Sequence, residues 1–65
     1  MSEGFKERVI TERDELAERL AKLVAFLNGD ASQALDEHEI SRLRSQRYYM
    51  SGYHNVLDER IAAFR

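Results

Sequence analysis

The chain has no cysteine, no proline and no tryptophan, and only three glycines. Without cysteine, no disulfide can staple the fold, and neither thiolate chemistry nor a cysteine-based metal site is available. Without proline, nothing inside a helix kinks or stops it, so two long helices fit the whole chain. Charge of one sign is lacking too. Ten basic against twelve acidic side chains leave −2, which excludes a general pull toward nucleic acid or anionic lipid. No apolar run approaches membrane-spanning length, and the charged start does not read as a signal peptide. A cytoplasmic location is therefore expected. At 65 residues the chain is one domain, too short to be comfortably stable unless it is well idealised or gains a partner.

What is present is organised around residues 36–64. Ile40, Leu43, Arg47, Met50, His54, Leu57, Ile61 and Phe64 recur at alternating steps of 3 and 4. That rhythm places all of them on one side of a helix and suits no strand. A first helix over about 3–28 carries its own stripe of Phe5, Val9, Leu16, Leu20, Leu23 and Leu27. Ile10, Ala17 and Val24 widen that apolar face beyond a two-stranded seam, toward a bundle. Ser2 is the candidate N-cap. Asn28-Gly29 should end this helix, with glycine in the left-handed C-cap conformation.

Residues 29–35 form the connection, with room for one short turn. Asp36 can then cap the second helix, Glu39 can complete a capping box, and Leu35 can staple onto Ile40. Two such helices fold back antiparallel. The pairing expected around the connection sets Leu27 near Ile40, Leu23 near Leu43 and Leu16 near Met50. Further out it sets Val9 near Leu57 and Phe5 near Ile61. The expected class is thus all-α, an antiparallel two-helix hairpin. Leftover apolar faces at Val24, Tyr53 and Val56 point to assembly into a homo-oligomeric bundle.

Charge is segregated along the chain. Residues 1–40 hold ten acids and five bases, whereas residues 41–57 hold no Asp or Glu. That acid-free stretch carries Arg42, Arg44, Gln46, Tyr48, Tyr49 and Tyr53, the candidate interaction surface. Arginine and tyrosine combine apolar area with directed hydrogen bonds and are favoured in binding hot spots. Two readings stay open. The arginines pair with the acid-rich first helix, within or between subunits, while the tyrosines wall an interface. Alternatively the guanidinium forks hold an anionic ligand whose ring stacks on tyrosine.

Arg47 and His54 interrupt the apolar stripe, and the pairing sets His54 opposite Arg13. These three are candidate polar seam positions, able to specify register or oligomeric order. No acidic neighbour or nucleophile on the His54 face forms a recognisable relay, so no catalytic residue is assigned. His38 between Glu37 and Glu39 belongs to capping, no di-iron pattern is present, and Gly29 alone makes no phosphate loop. No metal and no cofactor are expected. Gly52 sits inside the second helix, where it costs up to about 1 kcal/mol against alanine; close helix approach or a local irregularity would explain it.

A resemblance rests on Glu7-Arg8-Val9-Ile10, Glu12, Glu15-Leu16, Lys22-Leu23 and Phe26-Leu27. It continues with Gln46, Met50, Tyr53, Leu57 and Arg60-Ile61. Together these resemble short helical-hairpin proteins of tailed phages and prophages, over nearly the whole chain. Arg44-Ser45 and Arg47-Tyr48-Tyr49 depart from the leucine- and lysine-rich pattern of that group. The resemblance brings no catalytic residues. It implies a phage accessory protein that engages a host component, including defence systems, in the host cytoplasm. The expected function is non-enzymatic protein binding after self-association, with Arg42, Tyr49 and Tyr53 as contacts. Nucleic-acid or anionic-nucleotide binding through Arg42, Arg44, Arg47 and Tyr48 is the alternative, and a structural oligomer without ligand the third reading.

Overall fold

A computed structural model describes residues 2–65, with side chains from residue 4 onward. Helix α1 runs over Ser2–Asn28 and helix α2 over Glu37–Ala62, with a short 3-10 turn at Asp30–Ala34 between them. The two helices pack along each other as an antiparallel hairpin of 47 × 15 × 14 Å. No strand occurs among the described residues. The N-cap expected at Ser2 lies outside the described side chains.

The connection is built differently from the glycine cap expected there. Gly29 lies at φ −98° and ψ 174°, extended rather than left-handed, and caps the 3-10 turn instead. Its N–H donates to the Phe26 carbonyl at 3.2 Å, closing the end of α1. Space is tight there. An added Cβ would lie 3.3 Å from the Ala25 carbonyl oxygen, so that backbone would have to give by a few tenths of an ångström. Ser32 then locks the turn, its buried hydroxyl donating to the carbonyls of Gly29 at 2.9 Å and Leu27 at 3.3 Å.

Asp36 caps α2 as its spacing requires, its carboxylate accepting the Glu39 N–H at 2.8 Å. The reciprocal half of the box is spent elsewhere. The Glu39 carboxylate accepts from Arg42 Nε at 2.8 Å, one turn further along the helix. One orphan donor is satisfied through the cap, and an i, i+3 ion pair replaces the second bond.

The core lies at the end remote from the connection. Leu57 is fully buried, and Val9 and Leu16 are buried beside it. Met50, Ile61 and Phe64 pack around them. This is the cluster the antiparallel register demands, with Val9 and Leu16 meeting the Met50–Leu57 part of α2. At the end farthest from the connection Phe5 meets the ring of Phe64 at 5.9 Å, and the Arg60 guanidinium lies over Phe5 at 5.6 Å. Lys6 closes this end by donating to the Arg65 carbonyl. Near the connection, Leu20, Leu23, Leu27, Ile40 and Leu43 are only half-buried. Two helices alone cannot enclose both stripes over their full length.

Candidate functional site: an arginine- and tyrosine-lined groove

The polar positions of the seam resolve into two different arrangements. Arg13 and His54 are brought together through Asp58, which lies one turn beyond His54. Arg13 Nη1 donates to Asp58 Oδ1 at 2.8 Å, and His54 Nδ1 lies 3.4 Å from Asp58 Oδ2. Arg13 Nε also donates to Asp14 at 2.7 Å. These bonds, that to Asp58 first and that to Asp14 second, raise the Arg13 pKa above its ordinary value. A raised pKa makes the contribution of this group complete below the unfolded value and lost only above it. Arg13 therefore stays charged throughout the neutral and alkaline range. Asp58 is the residue that sequence reasoning passed over. The signal was its i, i+4 spacing from His54, a spacing at which helical side chains are neighbours.

Arg47 behaves otherwise. It is exposed, and among the described residues it joins no ion pair. It lines a shallow groove of about 460 Å³ with Arg44, Tyr48, Ser51, Leu27 and Asn28. Helical spacing explains the grouping. Residues 44, 47, 48 and 51 step by 3, 1 and 3 along one flank of α2, and the end of α1 supplies the opposite wall. A second hollow of about 550 Å³ continues around Arg44 to the connecting turn, where Leu35, Glu37 and Ile40 line it.

The remaining candidates are spread around α2, with Tyr48 shared between two hollows. Arg42 is bound to Glu39 within its own helix, so it does not reach the acid-rich first helix. Gln46 donates weakly to the Met50 sulfur at 3.8 Å. Tyr48 is 73% exposed and meets Tyr49 edge-on at 5.3 Å. Tyr49 and Tyr53 lie with Gly52 and Val56 around an outer hollow of about 530 Å³, which Tyr48 and Ser51 also line. Arg44 lines the groove beside α1, Tyr49 and Tyr53 line the outer hollow, and Tyr48 stands between them and lines both.

Chemically, the groove offers two guanidinium forks, one hydroxyl and one exposed ring. Its donors suit an anion, and its tyrosine suits a planar group. No group of three or more His, Cys, Asp or Glu side chains is placed to hold a metal ion among the described residues. None of their helices is long and apolar enough to cross a membrane.

The molecule is thus an all-α helical hairpin with a small arginine- and tyrosine-lined groove beside the connection. It belongs to the Sequestin family, whose model matches residues 3–63. No curated protein and no solved structure matches the chain significantly.

Proposed function

We propose that this protein captures, without chemically changing it, a small anionic ligand bearing an aromatic ring, of the nucleotide type. One observation carries the reading: Arg44 and Arg47 line a single groove with Tyr48, yet neither joins an ion pair among the described residues. Two unneutralised forks beside an exposed ring match a phosphate group with its base. At about 460 Å³ the groove falls within the size range of small-ligand sites. The family name is compatible with holding a ligand. The resemblance to phage hairpin proteins supplies a setting, an accessory protein acting in the host cytoplasm against a defence component. Self-association is part of the same proposal, because a chain with so small a core gains from a second copy.

Isothermal titration calorimetry with ADP and with inorganic pyrophosphate tests the groove. Arg44→Ala and Arg47→Ala should each weaken ADP about 10- to 150-fold, from ~1.5–3 kcal/mol per hydrogen bond to a charged group. Tyr48→Ala should weaken ADP but leave pyrophosphate unchanged, since only ADP has a ring to stack. ADP binding that ignores both arginines, or no binding of either ligand, removes the proposal.

A second reading, binding of a protein partner, is favoured by a different observation, the exposure of Tyr49 and Tyr53 on the outer side of α2. Tyrosines of that kind anchor protein interfaces. This reading predicts a partner lost in Tyr49→Ala and retained in Arg44→Ala.

A further inference from the structure

Along one flank of α2, Glu37, Ser41, Arg44, Tyr48 and Ser51 follow one another at steps of 4, 3, 4 and 3. That spacing sets them in a single row on the helix. From Arg44 to Ser51 the row lines the groove described above. From Glu37 to Arg44 it lines the hollow of about 550 Å³ beside the connection. Leu27, Asn28 and Arg44 line both, so the two hollows meet at Arg44. A ligand held at Arg44 therefore has room in two directions, toward Tyr48 and back toward Glu37.

The two directions differ in chemistry. Toward Tyr48 stand a second guanidinium, that of Arg47, and an exposed ring. Toward Glu37 no further base lines the hollow, which offers Gln33, Ser41 and the Glu37 carboxylate instead. Glu37 is exposed and joins no ion pair among the described residues. An ionised carboxylate only accepts hydrogen bonds. It repels a phosphate and takes hydroxyl groups, as the acidic residue of a dinucleotide site takes a ribose hydroxyl. Length agrees with this division. Along the axis Tyr48 and Arg44 are about 6 Å apart, and Arg44 and Glu37 about 10 Å, at 1.5 Å per residue. The longer interval leaves room for a group beyond the phosphates.

We propose that the ligand continues past its phosphates into a neutral, hydroxyl-bearing group, as in a nucleoside diphosphate sugar, and that Glu37 selects it. This selection rests on nucleotide binding at Arg44 and Arg47, as proposed above. Arg44 holds the phosphates where the hollows join, Tyr48 takes the ring, and Glu37 accepts hydroxyl groups of the sugar with Ser41 beside it. The same carboxylate turns away a ligand that ends there in a further phosphate.

Calorimetry with ADP-glucose, ADP and ATP tests the role of Glu37. Glu37→Ala should weaken ADP-glucose about tenfold or more, as expected for a lost hydrogen bond to a charged group. ADP should bind the variant as tightly as before or more tightly, because a nearby negative charge has gone. ATP should bind the parent chain more weakly than ADP-glucose does, and Glu37→Ala should narrow or reverse that order. Glu37 is exposed, so the helical circular dichroism of the variant should match the parent. If neither ADP nor ADP-glucose binds, the arginine groove is no nucleotide site, and the selection falls with it. If ADP binds but Glu37→Ala leaves ADP-glucose unchanged, or weakens both ligands equally, the selection alone is overturned. ATP that gains nothing in the variant overturns it too.

Discussion

The two ends of the hairpin are made from the same kind of sequence and behave differently. Both carry apolar residues at helical spacing, yet the end away from the connection buries Val9, Leu16 and Leu57 completely or nearly so. The end beside the connection leaves Leu20, Leu23, Leu27, Ile40 and Leu43 half-open. Polar groups follow the same division. At the closed end Arg13 is neutralised by Asp58 and Asp14, whereas Arg44 and Arg47 near the connection join no ion pair among the described residues. The closed end supplies cohesion, and the open end supplies a surface with unspent hydrogen-bonding capacity. Stability and recognition are thus placed apart along one rod, a division open to direct attack by substitution.

The largest effect should come from Leu57→Ala. Truncating a fully buried leucine costs about 2–5 kcal/mol, which a domain this small can scarcely absorb. Thermal unfolding by circular dichroism should show a chain largely melted at room temperature. Leu43→Ala, half-exposed in the other half, should cost well under half as much. Equal losses at the two positions would dissolve the distinction between the ends.

The next effect concerns binding. Arg44→Ala with Arg47→Ala in one chain should abolish measurable ADP binding while leaving the melting curve within about 0.5 kcal/mol, the usual range for surface changes. Calorimetry and circular dichroism on the same sample separate the two quantities. A large drop in stability would show that these arginines serve the fold, against the division drawn here.

Asp58→Asn should act more gently and on the closed end alone. It removes the charge that holds Arg13 and approaches His54. Because the pair is partly exposed, the cost should be small, that of a solvent-screened ion pair. Urea unfolding of Arg13→Ala, Asp58→Asn and the double variant would show whether Arg13 and Asp58 are coupled. Additive losses would mean that the pair contributes through packing alone.

How much of this was readable beforehand depends on how local each feature is. Helix identity, the antiparallel return and the Asp36 cap follow from contacts within a few residues, and their spacing is explicit in the chain. The Val9–Leu57 register follows from counting outward from the connection. Asp58 escaped notice because its main partner, Arg13, lies 45 positions away and only the finished register brings them together. Arg47 sits on the heptad stripe by number, but a straight helix drifts from a strict heptad by about 20° per repeat. Beside the half-open connection its long side chain ends at the surface. The groove depends on which flank of α2 faces the end of α1, a property of two helices that neither stripe encodes alone. Gly29 shows the remaining gap: the residue type announced a helix end, but its backbone is extended rather than left-handed and a side chain there would crowd Ala25.

The smallest effect should come from the connection itself, where two side chains set the geometry on which the groove depends. Asp36→Ala removes the acceptor for the Glu39 N–H, a cap loss of about 1 kcal/mol. Ser32→Ala removes a hydroxyl bonded to two carbonyls at the base of the turn. A net loss of about 1 kcal/mol is expected there as well. Neither residue belongs to the closed end, so native-state hydrogen exchange should show the first turn of α2 opening more often in Asp36→Ala. The amides around Leu57 should change only by the global loss. If the whole molecule loosened in proportion, the hairpin would be a single cooperative unit, with no region of separate stability beside the groove.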